Sequence, residues 1–600
     1  MKKRFIILLL SMVCALCCAL MLAACNNKHV HRYDANVVEP TCTEQGYTEH
    51  TCKCGDSYVD NYVDATGHTA NDMNICKVCS ESAATEGLTY TLSHSGESYL
   101  AAGMGTATDS DIYIASSYNG KPVTGIADWA FANYFGSFSL KIPSSVTSIG
   151  KEAFIHSGLN AIKIPSSVAA IGENAFYGCK YLDTIYVDPN NIAYGGIDNC
   201  LIETESKTLI LGTRLSVIPL DGSVTSIGAY AFYGRYGLTS VSIPDTVTSI
   251  GNSAFGDCNS LESITLGKSV THIGNYAFSN CGNIESITVD SGNKAYGSAG
   301  NCLVEIESKT LIQGCKNSII PIDGSVKSIE SMAFYECADL KSITIPDSVT
   351  SIGFSAFRRC FGLTSVTIGN SVANIGSQAF EYCSKLTDIK LPSSLTVMGE
   401  NVFGHCNSIE SITVDSGNKV YHSVDNCLIE TENRILISGC KNSVIPEDGS
   451  VTIIGTSAFK GCTDLKSIAI PSCVTSIGES AFFECTGLTS FTIPDSVTRI
   501  GDRAFLNCWS LSSIILPSSL TNIGREVFCN CYDLTSVTIP SSVTSIDAYA
   551  FAFCRSLTDI TFEGSVEEWQ AIPKGNNWDD NTADYTVHCN NGSLSKSENE

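Results

Sequence analysis

Fifteen phenylalanines constrain this chain more than any other feature. Phe131, Phe154, Phe176, Phe232, Phe255, Phe278, Phe334, Phe357, Phe380, Phe403, Phe459, Phe482, Phe505, Phe528 and Phe551 recur with ten gaps of 23 residues, one of 22 and three of 56. A gap of 56 is one 23-residue unit plus an insert of 33. A fixed period marks a repeat array, in which no unit buries its own apolar face and stacked neighbours share one continuous core. Without the period, 600 residues would suggest several independent domains.

A single unit shows how the pattern makes structure. In Leu363-Thr364-Ser365-Val366-Thr367-Ile368, the apolar residues alternate with polar ones, the period of a strand with one buried face. In nine units a proline follows, as at Pro346, Pro494 and Pro540, and it ends the strand because it lacks a ladder donor. Gly251, Gly274, Gly353 and Gly376 precede the phenylalanine by four residues and suggest a tight turn with positive φ, although Glu330 and Asp547 stand there in other units. The Ala-Phe pair is expected to turn the chain with helical or 3-10 character. Roughly 18 coils at about 4.8 Å each predict a rod on the order of 85 Å long.

The unit Ala-Phe-x-x-Cys-x-x-Leu-x-x-Ile-x-Ile-Pro-x-Ser-Val-x-x-Ile-Gly resembles the BspA-type leucine-rich repeat over about Val123 to Phe562. The resemblance implies a curved leucine-rich-repeat solenoid, mainly β, on a cell surface, engaged in binding or adhesion. The expected organisation is residues 1–24 as a signal, 25–87 as a Cys/His-rich module and spacer, and 88–126 as an N-terminal cap. The solenoid follows over 127–562, then a C-terminal cap and tail over 563–600. Three inserts carry hairpin patterns, from Asn199 to Ile210, Cys302 to Ile312 and Cys427 to Ile437, and are expected to project sideways from the rod.

The N-terminus begins Lys2-Lys3-Arg4, continues as an apolar run from Phe5 to Leu22 and ends in Ala23-Ala24-Cys25. A charged start and small residues before a cysteine fit a cleaved export signal better than a spanning helix. The segment resembles a bacterial lipoprotein signal, which implies lipidation of Cys25, export, and anchoring at the outer face of a membrane.

Two populations stand out among the 29 cysteines. Twelve lie three residues after the repeat phenylalanine: Cys179, Cys258, Cys281, Cys337, Cys360, Cys383, Cys406, Cys462, Cys485, Cys508, Cys531 and Cys554, with Tyr236 taken to fill that place in one unit. Their position tracks the core, so they read as a ladder of buried free thiols rather than disulfides, because stacked Cβ vectors run parallel. The second population precedes the array. Cys42, Cys52, Cys54, His68, Cys76 and Cys79 have spacings close to small zinc modules, and a structural zinc is the cofactor they would take. A disulfide-stapled spacer is the alternative. The region resembles short Cys/His modules of bacterial surface proteins but has Cys52-x-Cys54 where those carry Cys-x-x-Cys.

No catalytic motif is present: there is no His-Glu-x-x-His, no Gly-x-Ser-x-Gly and no phosphate loop, so an enzyme is not expected. A net charge of -25 argues against nucleic acid or an anionic bilayer as partner. Outward strand positions are mostly threonine, which suits strands but offers no anchor for a partner. Exceptions such as Lys390, and the insert tyrosines Tyr194, Tyr296 and Tyr421, are therefore the expected binding residues. The expected partner is an extracellular or host protein, with self-association or carbohydrate binding as alternatives.

Overall fold

The computed structural model describes residues 32–38, 46–53, 57–63, 84–489 and 492–598. Cys25, Cys42, Cys54, His68, Cys76 and Cys79 lie outside them. The first described residues form an antiparallel sheet of Tyr33–Val38, Gly46–Cys52 and Ser57–Val63. In it His50 stacks on Tyr58 at 4.6 Å and meets Asp60 Oδ1 at 2.9 Å. Cys52 is buried at the end of its strand.

From residue 84 the chain is a β-solenoid of about 21 turns in all, with coils of about 23 residues. This exceeds the 18 read from the period, because segments flanking the phenylalanine units also run as coils. One coil illustrates the rest. Ser263–Leu266 pairs in parallel with Ser240–Ile243 before it and Ser286–Val289 after it, with Ile264 between Val241 and Ile287. Ile264 and Leu266 are fully buried and Thr265 is exposed, as the alternation demands. A short second strand, His272–Ile273, pairs with Ser249–Ile250. The phenylalanine rings stack into a spine: Phe255 lies 4.9 Å from Phe232 and 5.3 Å from Phe278, nearly parallel to both.

Two expectations for the turn are corrected. The Ala-Phe segment is not helical. The residues two before and two after the phenylalanine adopt left-handed conformations, as Tyr276 and Asn280 do at φ 59° and 58°. Alternate N–H groups then reach the next coil, Ser253 N donating to Asn275 O at 3.0 Å, Phe255 N to Ala277 O at 2.8 Å and Asp257 N to Ser279 O at 2.9 Å, while those between them close 3-10-like turns, Ala254 N on Gly251 O at 3.3 Å and Gly256 N on Ser253 O at 3.0 Å. The turn is thus a third ladder between coils, and a helix would consume those donors internally.

Nor do the recurring glycines have positive φ. A Cβ at Gly376 would sit 2.6 Å from Phe354 N, and one at Gly353 2.5 Å from Ser331 N. Glycine is needed there for close approach of consecutive coils, not for a left-handed turn. Behind the first insert the approach is looser, and the nearest atom to a Cβ at Gly228 is 3.2 Å away. Glu330 occupies the same place after the second insert, its N–H on Leu311 O at 2.9 Å.

The inserts do not project. In the first, Tyr194–Ile197, Cys200–Glu203 and Thr208–Leu211 form an antiparallel meander whose last strand joins the parallel ladder at Ser226–Ile227. Both faces are buried. Leu201 and Leu211 face the core that precedes the insert, while Cys200, Ile202 and Leu209 face the core that follows. Each insert is a wall across the rod, and three walls divide it into four apolar cores. The first ring beyond each wall rests on a glycine: a Cβ would lie 2.1 Å from Phe232 at Gly212, 2.0 Å from Phe334 at Gly314 and 2.1 Å from Phe459 at Gly439.

Antiparallel strands end the rod. Thr89–Leu92 pairs with Tyr99–Gly103 at the start, and Gly592–Ser595 with Thr586–Cys589 at the finish. Ahead of the latter, the helix Val566–Ala571 is fixed by a capping box of Ser565 and Glu568 and buries Trp569. Trp578 takes the next place in the aromatic spine, 6.1 Å from Phe551. No helix of the described residues is long and apolar enough to cross a membrane.

Candidate binding surfaces

The insert tyrosines are structural, which corrects their expected role. Tyr194, Tyr296 and Tyr421 are only 3% to 6% exposed. Each hydroxyl oxygen accepts a main-chain N–H of an earlier coil: Ile171 on Tyr194 and Ile273 on Tyr296 at 2.9 Å, and Met398 on Tyr421 at 3.1 Å. A ring so placed offers nothing to a partner. Lys390, by contrast, is exposed on Asp388–Leu391, in register with Thr413.

What the inserts do present is the turn that follows each meander, built the same way three times. Ser216, Ser318 and Ser443 donate to the carbonyls of Asn199, Asn301 and Asn426 at 2.7 to 2.9 Å. Their oxygens take the N–H groups of Thr213, Cys315 and Cys440. Five residues after each serine, Asp221, Asp323 and Asp448 accept from Ser223, Ser325 and Ser450 at 2.9 Å. Gly222, Gly324 and Gly449 supply φ near 82° in between. Those hydrogen bonds draw the carboxyls of all three aspartates below the usual range.

On this frame Ile218, Ile320 and Ile445 point inward, and Val217, Ile319 and Val444 point out, 61% to 76% exposed. Leu220 and Ile322 stand out further on, at 76% and 86%, with Glu447 in that place in the third copy. Exposed apolar side chains held by a hydrogen-bonded turn of fixed shape are preorganised for contact.

Other groups brace the joints where an insert interrupts the turn ladder. At the first joint Tyr177 stacks on Tyr233 at 4.6 Å, and Tyr230 meets Tyr177 edge-on at 5.0 Å. At the third, buried Glu381 lies 2.6 Å from Arg358 Nε and 3.1 Å from Lys460 Nζ, and takes Asn401 Nδ2 at 2.5 Å. Beside it His405 stacks on Tyr382 at 4.1 Å, with Glu484 Oε2 at 3.6 Å from Nδ1. Burial, reinforced by the charge of Lys460, lowers the pKa of His405 to about 4. Sequence reasoning missed these clusters because partners 56 or 79 residues apart meet only once the walls are placed.

The cysteine ladder proves to be a hydrogen-bond ladder. The thiols of Cys258, Cys281, Cys360, Cys383, Cys406, Cys485, Cys508, Cys531 and Cys554 donate to the phenylalanine carbonyl one coil earlier, at 3.1 to 3.4 Å. Cys179 does the same to Phe154 at 3.0 Å. Cys337 and Cys462 follow an insert and have no such carbonyl one coil back; Cys462 lies 3.9 Å from Gly439 O. Burial pushes the thiols of Cys281, Cys383 and Cys406 well up. The residue filling the slot after Phe232 is Arg235, not Tyr236, which is exposed. Its guanidinium is buried and donates to Gly212 O at 2.7 Å and to Cys179 O.

A coil of parallel strands with a stacked aromatic spine and a buried side-chain ladder defines the chain as a leucine-rich-repeat β-solenoid. The chain belongs to the BspA-type leucine-rich-repeat family, whose model matches residues 113–219, 225–299, 304–427 and 452–572. Among solved structures it is similar to a leucine-rich cell surface protein from Faecalibacterium prausnitzii, with 24% identity over 81% of this chain and 96% of that one, and a TM-score of 0.39. It is also similar to a leucine-rich repeat protein from Bacteroides ovatus, at 24% identity over 84% and 98%, TM-score 0.32. The pneumococcal vaccine antigen PcpA matches at 15% identity over 93% and 99%, TM-score 0.32. No curated protein matches the chain.

Proposed function

We propose that this chain is an exported binding scaffold, held by lipid on Cys25 at the outer face of a bacterial membrane, that captures extracellular or host proteins through its insert turns. The observation that carries the reading is the threefold recurrence of one rigid turn with Val217, Ile319 or Val444 held out from a continuous rod. Interfaces draw their energy from a few desolvated anchors, and linking several on one scaffold multiplies affinity without new contacts. The apolar run ending in Ala23-Ala24-Cys25 supports export and lipid anchoring. No catalytic role enters this reading.

The test is capture of extracellular matrix proteins by the full chain and by a Val217→Asp/Ile319→Asp/Val444→Asp variant. Capture by the parent that falls at least tenfold in the variant supports the reading. Equal capture by both would move the interface elsewhere. Concentration-dependent self-association without capture would favour a structural surface protein. Metabolic labelling with a fatty acid, lost in Cys25→Ser, tests the anchor. Metal analysis of the reduced protein tests the zinc proposed for Cys42, Cys52, Cys54, His68, Cys76 and Cys79.

A further inference from the structure

Between the third insert and the C-terminal cap, the short-strand face of the rod forms a groove enclosing about 600 Å³. Its floor is the parallel pair Ser476–Ile477 and Arg499–Ile500, with Thr456 before it and Asn522 beyond. The isoleucines after Ser476 and Arg499 point into the core, so each coil leaves one polar side chain on the floor. Glu479 and Asp502, one in each coil, line the groove beside it, and Thr498 also lines it.

These groups are incompletely satisfied, and in opposite senses. Arg499 is exposed and makes no ion pair among the described residues. Among the described residues Glu479 pairs only with Arg503, at the 4.0 Å limit of a pair. Asp502 uses Oδ1 to take Arg525 N at 3.0 Å. Thr498 donates its hydroxyl hydrogen to Thr475 O at 3.4 Å, which leaves lone pairs for a ligand.

A guanidinium and two carboxylates thus share a groove without neutralising one another. An anion would meet Glu479 and Asp502, and a cation would meet Arg499. A neutral ligand dense in hydroxyls satisfies both, accepting from the guanidinium and donating to the carboxylates. The spacing narrows the class further. Contact groups recur once per coil, about every 4.8 Å, whereas an extended peptide repeats about every 3.4 Å and loses step within a few coils. A pyranose unit linked through opposite sides of its ring is close in length to one coil.

We infer that this groove binds an extended neutral glycan along the rod axis, one sugar unit per coil. It is separate from the insert turns and its failure would leave protein capture untouched. No aromatic ring lines the groove, so each unit contributes little and affinity must rise with chain length. The experiment is titration of the full chain with cellohexaose and chitohexaose, with their disaccharides, with an uncharged hexapeptide and with heparin hexasaccharide. The expected result is binding of at least one neutral hexasaccharide, at least tenfold weaker binding of its disaccharide, and a tenfold or greater loss in Arg499→Ala and in Asp502→Asn. Both positions are on the surface, so unchanged melting temperatures establish that the variants are folded, and Lys163→Ala, exposed on the strand Leu159–Ile164, serves as the neutral control. No binding by either neutral hexasaccharide, tighter binding of heparin or peptide, or binding indifferent to both substitutions would overturn the assignment.

Discussion

The thiol of Cys383 donates to the main-chain carbonyl of Phe357, one coil earlier, across 3.2 Å. That carbonyl already takes the N–H of Cys360 in its own coil at 3.3 Å. The cysteine therefore fills a second lone pair that a buried turn would otherwise leave empty. Where a phenylalanine coil precedes it, the slot takes a small side chain with a donor, and Ser157 occupies it in one coil, 3.5 Å from Cys179; behind the first insert, where that carbonyl is missing, Arg235 fills it.

Cys383→Val removes the donor and adds a branched carbon to a packed site, which costs about 1–3 kcal/mol. Cys383→Ser keeps the donor and costs less. Denaturant midpoints of the two variants check the order; a valine variant as stable as the parent would make the ladder mere filler.

Buried thiols also set an alkaline limit. Burial pushes Cys302 and Cys427 up to about 12 and Cys200 to about 11, from an ordinary value of 9.0. The folded chain holds these protons more tightly than the unfolded one. Their contribution to stability is complete below pH 9 and is lost progressively from there toward pH 12. Thermal melts between pH 8 and 11.5 are expected to fall over that range, and Cys302→Ser to fall less steeply.

His405 behaves in the opposite direction. Burial drops its pKa from 6.5 to about 4, with Lys460 and Arg358 also opposing its proton and Glu381 favouring it. The stability it contributes is present above pH 6.5 and is lost as pH falls toward 4. His405→Phe keeps a ring against Tyr382 and removes the titration. Melting curves of the parent should decline over that window, and those of the variant should decline less.

Close approach of coils, rather than backbone conformation, explains the repeated glycine. Gly376→Ala forces a methyl to 2.6 Å from Phe354 N and is expected to cost about 1–3 kcal/mol. Gly228→Ala, behind the first wall with 3.2 Å of clearance, should cost less than about 1 kcal/mol. Urea unfolding of both separates the two explanations, because a left-handed requirement would penalise them alike.

Much of the solenoid was legible because it depends on local alternation. Val366 and Ile368 against Thr364 and Thr367, with a proline at the strand end, dictate a half-buried strand in any context. The turn was misread because Ala-Phe fits a helix as well as a ladder, and only the neighbouring coil decides where its N–H groups go. The walls carry a sequence signal of their own: Cys200-Leu201-Ile202 is an unbroken apolar run, the mark of a strand buried on both faces. An edge hairpin projecting into water would have alternated. Tyr296 reads as a recognition residue in sequence because an aromatic in a loop pattern looks the same whether its hydroxyl faces water or the N–H of Ile273. The exposure of Ile319, one residue from buried Ile320, follows from Ser318, whose hydroxyl bonds the carbonyl of Asn301 in the hairpin before it.

The two roles within each insert separate by substitution. Tyr296→Phe removes a hydrogen bond to Ile273 N and is expected to cost about 1 kcal/mol of stability with no change in capture. Ile319→Asp should leave the melting temperature within a degree or two, since that side chain is 76% exposed. Parallel melts and capture assays on the two variants check the separation.

The most direct measurement of the central claim is quantitative capture of extracellular matrix proteins by three forms of the full chain: the parent, Tyr194→Phe/Tyr296→Phe/Tyr421→Phe, and Val217→Asp/Ile319→Asp/Val444→Asp. The account predicts equal capture by the first two and at least a tenfold loss in the third, with its fold retained. Undiminished capture by the third, or a loss confined to the tyrosine variant, would contradict it.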